Sequence, residues 1–417
     1  INMKKFYKLS SLMTSLFFVS TLCLAVQSFE SAGMLSATKI LPPDVIQGPY
    51  HQVDENVAND GFLNTYTIHS KFGDEQATST GKLRKYIDEI KAVAKMKEIQ
   101  SSDEFAKGMT DKAGAVVEGT KALVTDPVGT VSSSISGVGK LFSRAGESLT
   151  GGSRSDAEGS RMASLLGYEK AKRDIGYQFG VDVYSHNKIL QDELNSLSGA
   201  NGTGTLVMSG LLMAVPGGAG VAVSVTGSSE MLGDVMRDSA PADLRKMNRE
   251  KLAAMGVSTD ISDLYIANAV YTPREQTAIV VALNNMPDTK NRAEFIKFAT
   301  VSDNPDMCYF RQRQAQMYEG YNRTVEPIDS FVPVGHLTAG ITNTGKIIFN
   351  VPLDYLLWTN NFAATASAVS QNIDSMGVKE RHLWVTGMVS KAARESLEGM
   401  GWIVHEDAGG KIGLPAY

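Results

Sequence analysis

The residues best suited to acid–base or metal chemistry lie near the C-terminal end of the sequence. His382 and His405 occupy two predicted strands, and Glu406 directly follows the second histidine. Imidazole and carboxylate groups that converge on a substrate can exchange protons with it. The candidate catalytic residues are therefore His382, His405 and Glu406, and the candidate metal ligands are His336 and His405. The alternative is that His405 and Glu406 only form the polar end of a strand.

Established catalytic motifs are missing from the sequence. It contains neither a His-Glu-x-x-His zinc motif nor a Gly-x-Ser-x-Gly nucleophile elbow. Residues 340–346 resemble a phosphate-binding loop, but Ile347 replaces the required hydroxyl residue and a strand pattern follows, which favours a hairpin turn. Ser-x-x-Lys occurs at Ser36 and Ser185, about as often as chance predicts. No cofactor is expected.

The N-terminal residues have the pattern of a cleavable export signal. Lys4, Lys5 and Lys8 precede a charge-free stretch over 9–25, and a small residue, Ser28, ends the segment. This predicts cleavage after Ser28 and export to the periplasm, the cell surface or the medium. Cys308 is then the only cysteine left, so an intramolecular disulfide is excluded and a buried, unreactive thiol is expected.

The charge balance excludes one class of partner. The formal net charge is −5, and lysine and arginine do not form clusters along the chain. Nucleic-acid binding needs clustered basic side chains that neutralise phosphates. We therefore expect no nucleic-acid partner.

Two apolar segments are the expected interaction surfaces. In 113–150 apolar residues recur at alternating steps of four and three, but the glycines there weaken a helix that has no partner. Segment 205–226 is uncharged and is interrupted by Pro216, which indicates an apolar hairpin. A protein partner or a second copy is expected, with a membrane surface as the alternative; burial in the protein's own core remains open for both segments. The interaction residues are Val128, Val131, Ile135, Val138, Phe142, Leu211, Leu212 and Val221.

Periodicity predicts a mainly α protein with a smaller α+β module at its C-terminus. Helical patterns cover 82–99, 155–198 and 240–325, whereas the C-terminal residues predict a β-hairpin followed by strand, helix and strand. The expected divisions are a signal peptide over 1–28, an extended arm over 29–60, a strand and amphipathic helical region over 61–150, a helical domain over 155–325 and the α+β module over 326–417.

These observations favour a non-enzymatic function. We expect an exported cell-envelope or secreted protein that acts through protein–protein or membrane-surface contacts. The alternative is an exported hydrolase or metal-dependent enzyme with its site in the C-terminal module.

Overall fold

The computed structural model describes residues 29–101, 156–200 and 227–415. The predicted signal peptide, the heptad segment with Val128, Val131, Ile135, Val138 and Phe142, and the apolar hairpin with Leu211, Leu212 and Val221 lie outside these ranges.

Strands occur near both ends of the described chain. They are β1 (Gly33–Ser36), β2 (His51–Val53), β3 (Asn56–Asn59), β4 (Asn64–Ser70), β5 (Gly73–Thr78), β6 (Ile328–Val334), β7 (Leu337–Thr342), β8 (Lys346–Val351), β9 (Tyr355–Leu356), β10 (Glu380–Val385), β11 (Met388–Val389) and β12 (Trp402–His405).

Helices fill most of the chain between them. They are α1 (Ala37–Ile40), α2 (Pro43–Ile46), α3 (Thr80–Gln100), α4 (Asp156–Gln178), α5 (Lys188–Ala200), α6 (Gly227–Asp238), α7 (Pro241–Ala254), α8 (Thr259–Ala267), α9 (Pro273–Asn284), α10 (Arg292–Thr300), α11 (Pro305–Thr324), α12 (Asn360–Asp374), α13 (Lys391–Gly399) and α14 (Ala408–Lys411). In the described ranges, no helix combines the length and apolar character needed to cross a bilayer.

The N-terminal strands form a curled antiparallel sheet. Strand β4 pairs along one edge with β2 and β3 and along the other with β5, and β1 extends the sheet beyond β3. Helix α3 packs on this sheet, where Leu83, Ile87 and Ile90 contact the buried side chains of Tyr66 and Ile68. The C-terminal half of α3 then packs against α4 and α5 in a second apolar cluster.

The C-terminal sheet lies between two layers of helices. Its strand order is β12-β10-β8-β7-β6, with β8, β10 and β12 parallel and β6 and β7 antiparallel. One face joins the core of α7–α11, where the rings of Tyr318 and Phe331 lie 5.0 Å apart and those of Tyr321 and Trp384 lie 5.4 Å apart. Helices α12 and α13 cover the other face.

Asp354, in the loop between β8 and β9, connects the N-terminal and C-terminal parts of the chain. Its carboxylate accepts hydrogen bonds from the backbone N–H groups of Asn64 and Thr80, both at 2.9 Å. Burial raises the pKa of Asp354 to about 6. These bonds attach β4 and the start of α3 to the loop between β8 and β9.

Many locally encoded elements are confirmed. Thr272 and Glu275 form a capping box at the start of α9, and the side chain of Ser390 caps α13, as the residue types at these positions favour. The predicted helix over 82–99 is α3, and the predicted strand–helix–strand end is β10, α13 and β12. These signals depend on residues a few positions apart, so they do not require knowledge of the fold.

The predicted fold class, mainly α with a smaller α+β module, is wrong. A curled antiparallel sheet occupies the N-terminal region, and residues 29–60, expected to be extended, contain β1–β3, α1 and α2. A separate helical central domain is not supported either, because α7–α11 share a core with the C-terminal sheet. Apolar alternation does not predict the N-terminal sheet, because most of its strands are short and polar. Strand β5, for example, has the sequence Gly-Asp-Glu-Gln-Ala-Thr, and only Ala77 in it is buried.

Candidate functional site

The structure brings two of the predicted site residues together. His382 on β10 and His405 on β12 lie with Nδ1 of the first 3.0 Å from Nε2 of the second. Their rings stack with centroids 5.2 Å apart and an interplanar angle of 5°. The parallel register places His405 opposite Trp384, and because side chains alternate along a strand, His382 lies on the same face as Trp384.

The surroundings of His405 keep its ring uncharged at neutral pH. Its ring stacks on Trp384 at a centroid distance of 3.9 Å. Desolvation lowers the pKa of His405 to about 4, and electrostatic interactions with His382 and Lys411 add smaller shifts in the same direction. The second ring nitrogen of His382 lies 2.9 Å from Glu380 Oε2. The pair is thus a hydrogen-bonded chain from Glu380 to His405.

The other predicted residues do not join this pair. The Glu406 carboxylate accepts hydrogen bonds from the backbone N–H of Val389 and from the Arg394 guanidinium. It therefore connects β12 to β11 and α13. His336 is exposed in the turn between β6 and β7, and β8 and β10 separate β7 from β12. Three strand spacings amount to about 14 Å.

Metal ligation and thiol chemistry have little support among the described residues. There, no group of three or more His, Cys, Asp or Glu side chains is arranged to hold a metal ion. Cys308 is buried, as predicted, and burial raises the pKa of its thiol to about 12. A thiol with such a pKa is protonated at neutral pH and is a poor nucleophile.

A cavity of about 400 Å³ lies elsewhere, between α4 and two loops, residues 180–187 and 268–273. This volume falls within the range of small-molecule sites. Its walls combine charged, aromatic and aliphatic side chains. They are Glu169, Lys172, Arg173, Val183, Tyr184, Ser185, His186, Gln191, Ala269, Val270, Tyr271, Thr272 and Pro273.

Two cations on the α4 wall have uncharged partners. The Lys172 ammonium donates to the side-chain oxygens of Gln191 and Asn195, both at 2.8 Å. Arg173, of which 9% is exposed, donates from Nε to the Arg237 carbonyl at 3.1 Å. Within the described ranges neither cation forms an ion pair. Desolvation lowers the pKa of Lys172, opposed by the negative charge of Glu169.

A buried charge cluster holds the 180–187 loop against α3. Lys85 Nζ lies 2.8 Å from Asp182 Oδ2 and 3.9 Å from Glu89 Oε1, and Ser185 Oγ donates to Glu89 Oε2 at 3.0 Å. All four residues are at most 9% exposed. Burial raises the pKa of Glu89 to about 7 although Lys85 opposes the shift. Burial acts in the same direction on Asp182, but Lys85 and Arg274 outweigh it and lower the pKa of that carboxyl.

Close contacts and hydrogen bonds hold both loops in position. A Cβ added to Gly176 of α4 would lie 2.0 Å from Val183 Cγ1, so only glycine lets the loop lie this close to the helix. Asn187 Oδ1 accepts from the Leu190 N–H and caps α5. On the opposite wall, the Tyr271 hydroxyl donates to the Ala299 carbonyl at 2.9 Å.

Sequence reasoning missed this cavity because its walls combine residues 169–191 with the distant 268–273 loop. One signal was available: Lys85 and Glu89, four residues apart, lie on the same stripe of α3 as the apolar residues Val93 and Met96. Charged residues on an apolar stripe indicate a buried polar cluster, since an unpaired buried charge is strongly unfavourable.

Comparisons with known proteins add no information on the fold or the site. No protein-family model matches this chain, and neither the curated proteins nor the solved structures yielded a match.

Proposed function

We propose that the protein is an exported, non-enzymatic binding protein that holds a small ligand in the cavity between α4 and the 180–187 and 268–273 loops. The observation that carries the proposal is the cavity itself, about 400 Å³ with cationic and aromatic walls. Cavities that combine apolar walls with a few polar groups of shifted pKa are typical ligand sites. Desolvation shifts the pKa values of Lys172, Tyr184 and His186 on these walls.

The arrangement of the C-terminal histidines supports a function without catalysis. Glu406, which would complete a catalytic group with His382 and His405, is occupied by Arg394 and Val389. His405 is covered on one side by Trp384. The contacts of His405 and Glu406 therefore join β10, β12 and α13.

The expected contacts with a protein partner or a membrane surface remain predictions from the sequence. The segments concerned, 113–150 and 205–226, lie outside the described residues. The exported location likewise rests on the pattern of residues 1–28.

A cavity-filling variant tests the binding function. Ala269 is exposed and lies on the cavity wall, so Ala269→Trp should fill the opening without disturbing the core. Ala242→Trp, at an exposed position of α7, is the matched control. The probes are benzoate, benzyl alcohol and benzylammonium, with hexanoate, hexanol and hexylammonium as aliphatic counterparts.

We expect at least one probe to raise the midpoint of thermal unfolding in a concentration-dependent manner, because a ligand that binds only the folded state stabilises it. The increase should persist in Ala242→Trp and disappear in Ala269→Trp. The binding function would be contradicted if no probe raised the midpoint, or if the increase persisted in Ala269→Trp.

N-terminal sequencing tests export. The chain expressed in a bacterial host should be recovered outside the cytoplasm and begin at Phe29. A chain without residues 1–28 should stay in the cytoplasm. Recovery of the intact N-terminus from the cytoplasm would contradict export.

A hydrolase is the second candidate, and one observation favours it. Ser185 lies on the cavity wall, and its Oγ donates to Glu89, whose pKa is about 7. A carboxylate with a pKa near neutrality is suited to act as a general base toward a serine hydroxyl. A fluorophosphonate probe should then add its mass to the wild-type chain but not to Ser185→Ala. Absence of labelling in the folded wild-type protein would eliminate this candidate.

A further inference from the structure

We infer that the cavity selects a small organic anion, whose carboxylate or phosphate group is held by Lys172 and Arg173 and whose body is apolar. This inference rests on the binding function proposed above and specifies its ligand class. It starts from two cationic side chains on the cavity wall, the half-buried Lys172 and the buried Arg173. The hydrogen-bond partners of both carry no charge.

The two cations keep donor capacity for a ligand. An ammonium group has three N–H donors, and two of those of Lys172 are directed at amide oxygens. A guanidinium group has five donors, and Arg173 directs its Nε–H at a backbone carbonyl. Both side chains line the cavity, so an oxyanion bound there would accept charge-assisted hydrogen bonds, which are stronger than bonds between neutral groups.

The titratable groups around the cavity leave an excess of positive charge. Among the residues that the structure describes, Lys172 and Arg173 share the cavity wall with one carboxylate, that of Glu169. Partial desolvation lowers the pKa of His186, assisted by the nearby Lys82 and Lys85, so its imidazole adds no charge at pH 7.

The remaining groups do not remove that excess. The two tyrosines on the walls, Tyr184 and Tyr271, are uncharged because burial raises the pKa of each phenol. Behind the wall, the carboxyl groups of Asp182 and Glu89 lie next to the Lys85 ammonium, and Arg274 adds a second positive charge that acts on Asp182. The cavity walls therefore carry a net charge of about +1, which a monoanion would neutralise.

The rest of the wall favours an organic rather than an inorganic anion. Val183, Val270 and Pro273 add aliphatic surface to the cavity walls, and Tyr271 is held by the hydrogen bond from its hydroxyl to the Ala299 carbonyl. A hydrated inorganic ion would leave this surface uncovered, whereas an attached apolar group would bury it.

Four compounds of similar size and different charge test the inference. Benzoate and phenyl phosphate are the anions, benzyl alcohol is the neutral analogue and benzylammonium is the cation. Titration calorimetry at low salt should give a lower Kd for both anions than for the alcohol, and no binding of the cation. The ratio between the two anions identifies carboxylate or phosphate as the preferred group.

Variants of the two cations assign the binding to them. Lys172→Met and Arg173→Met should each raise the Kd of the preferred anion by about tenfold or more, because each removes charge-assisted hydrogen bonds. Lys170→Met is the matched control on the same helix, since Lys170 is exposed and pairs with Asp174, and its Kd should be unchanged. Arg173→Lys, which keeps the charge, should retain part of the affinity even where Arg173→Met unfolds. Circular dichroism of each variant establishes that it is folded.

The possible results separate this inference from the binding function. If benzyl alcohol binds as tightly as the anions and Ala269→Trp blocks it, the cavity binds ligands but the anion inference is wrong. The inference is also wrong if folded Lys172→Met and Arg173→Met bind the anion as tightly as Lys170→Met does. If none of the four compounds binds and no probe of the thermal series acts, both the inference and the binding function fail.

Discussion

Replacement of Lys85 by methionine tests whether the buried charge cluster holds the cavity wall in place. Lys85 Nζ is 2.8 Å from Asp182 Oδ2 and 3.9 Å from Glu89 Oε1, and all three side chains are largely inaccessible to solvent. Methionine has a similar length but no charge, so Lys85→Met leaves two buried carboxyl groups without a cation. We expect the free energy of unfolding to fall by about 3–5 kcal/mol.

The distances support a loss of this size. With an effective dielectric constant of about 20, unit charges 2.8 Å apart attract by about 6 kcal/mol and those 3.9 Å apart by about 4 kcal/mol. In the wild type, the free energy needed to desolvate the ions offsets much of this attraction. In Lys85→Met the carboxyl groups remain desolvated while the attraction is gone.

The loss should increase with pH. Burial raises the pKa of Glu89 to about 7, above its ordinary value of 4.5, so the folded state binds a proton that the unfolded state has released. Stability therefore falls as the pH rises through this window. Without Lys85, which lowers the pKa of Glu89, the window extends to higher pH. The difference between wild type and Lys85→Met should be larger at pH 8 than at pH 6.

Equilibrium urea unfolding, followed by circular dichroism at pH 6 and pH 8, measures the effect. Lys91→Met is the matched control on the same helix, because Lys91 pairs with Asp88 at the surface. It should lose less than about 1 kcal/mol. Asp182→Asn in the Lys85→Met background should restore part of the stability. Equal losses in Lys85→Met and Lys91→Met would refute the reasoning.

Three further predictions concern packing, thiol reactivity and pH. Gly176→Ala should lower stability by about 1–3 kcal/mol, because the added Cβ would lie 2.0 Å from Val183 Cγ1. Gly167→Ala should raise stability by up to about 1 kcal/mol, because an added Cβ has no neighbour within 4 Å there and alanine favours the helix. Thermal unfolding compares the two variants. Cys308 should react with a disulfide reagent only in urea, and fast reaction of the folded protein would contradict its burial. His405 has a folded pKa of about 4 against an ordinary 6.5, so its own contribution to stability should fall by about 1–2 kcal/mol as the pH drops from 6.5 to 4. Glu89 acts in the opposite direction over this range, so the measured quantity is the difference in unfolding free energy between wild type and His405→Phe at pH 6.5 and at pH 4; a difference that does not change with pH would contradict the prediction.

Local signals in the sequence predicted individual elements well. Thr272, Pro273 and Glu275 mark the start of α9, since a capping box needs only residues within one turn. Gly345 has a φ of 85° in the turn between β7 and β8, as a hairpin glycine requires. The structure adds a second turn to the predicted C-terminal hairpin, because Gly335 and His336 separate β6 from β7.

The N-terminal sheet could not be recognised in the same way. Backbone hydrogen bonds join β4 to the three strands β2, β3 and β5. Turns and loops separate these strands along the chain. Polar strands such as β5 carry little apolar alternation, and pairing of this kind depends on the partner strand more than on intrinsic preference.

The C-terminal histidines show how much of a functional site the sequence alone can predict. Their types and strand positions were readable from the sequence, and the parallel register of β10 and β12 then placed His382 beside His405. The same register left His336 at the far side of the sheet and turned Glu406 toward Arg394.

The sequence by itself determined the local elements: where helices begin, where turns occur, and that Cys308 would be buried. Only the tertiary structure decided that a sheet lies at the N-terminal end, that α7–α11 share a core with the C-terminal sheet, and that Lys172, Ser185 and Tyr271 line one cavity. The physical reason is the range of the interactions. Caps and turns are satisfied within a few residues, whereas strand pairing, ion pairing such as that of Lys85 with Asp182, and cavity walls depend on residues about 100 positions apart.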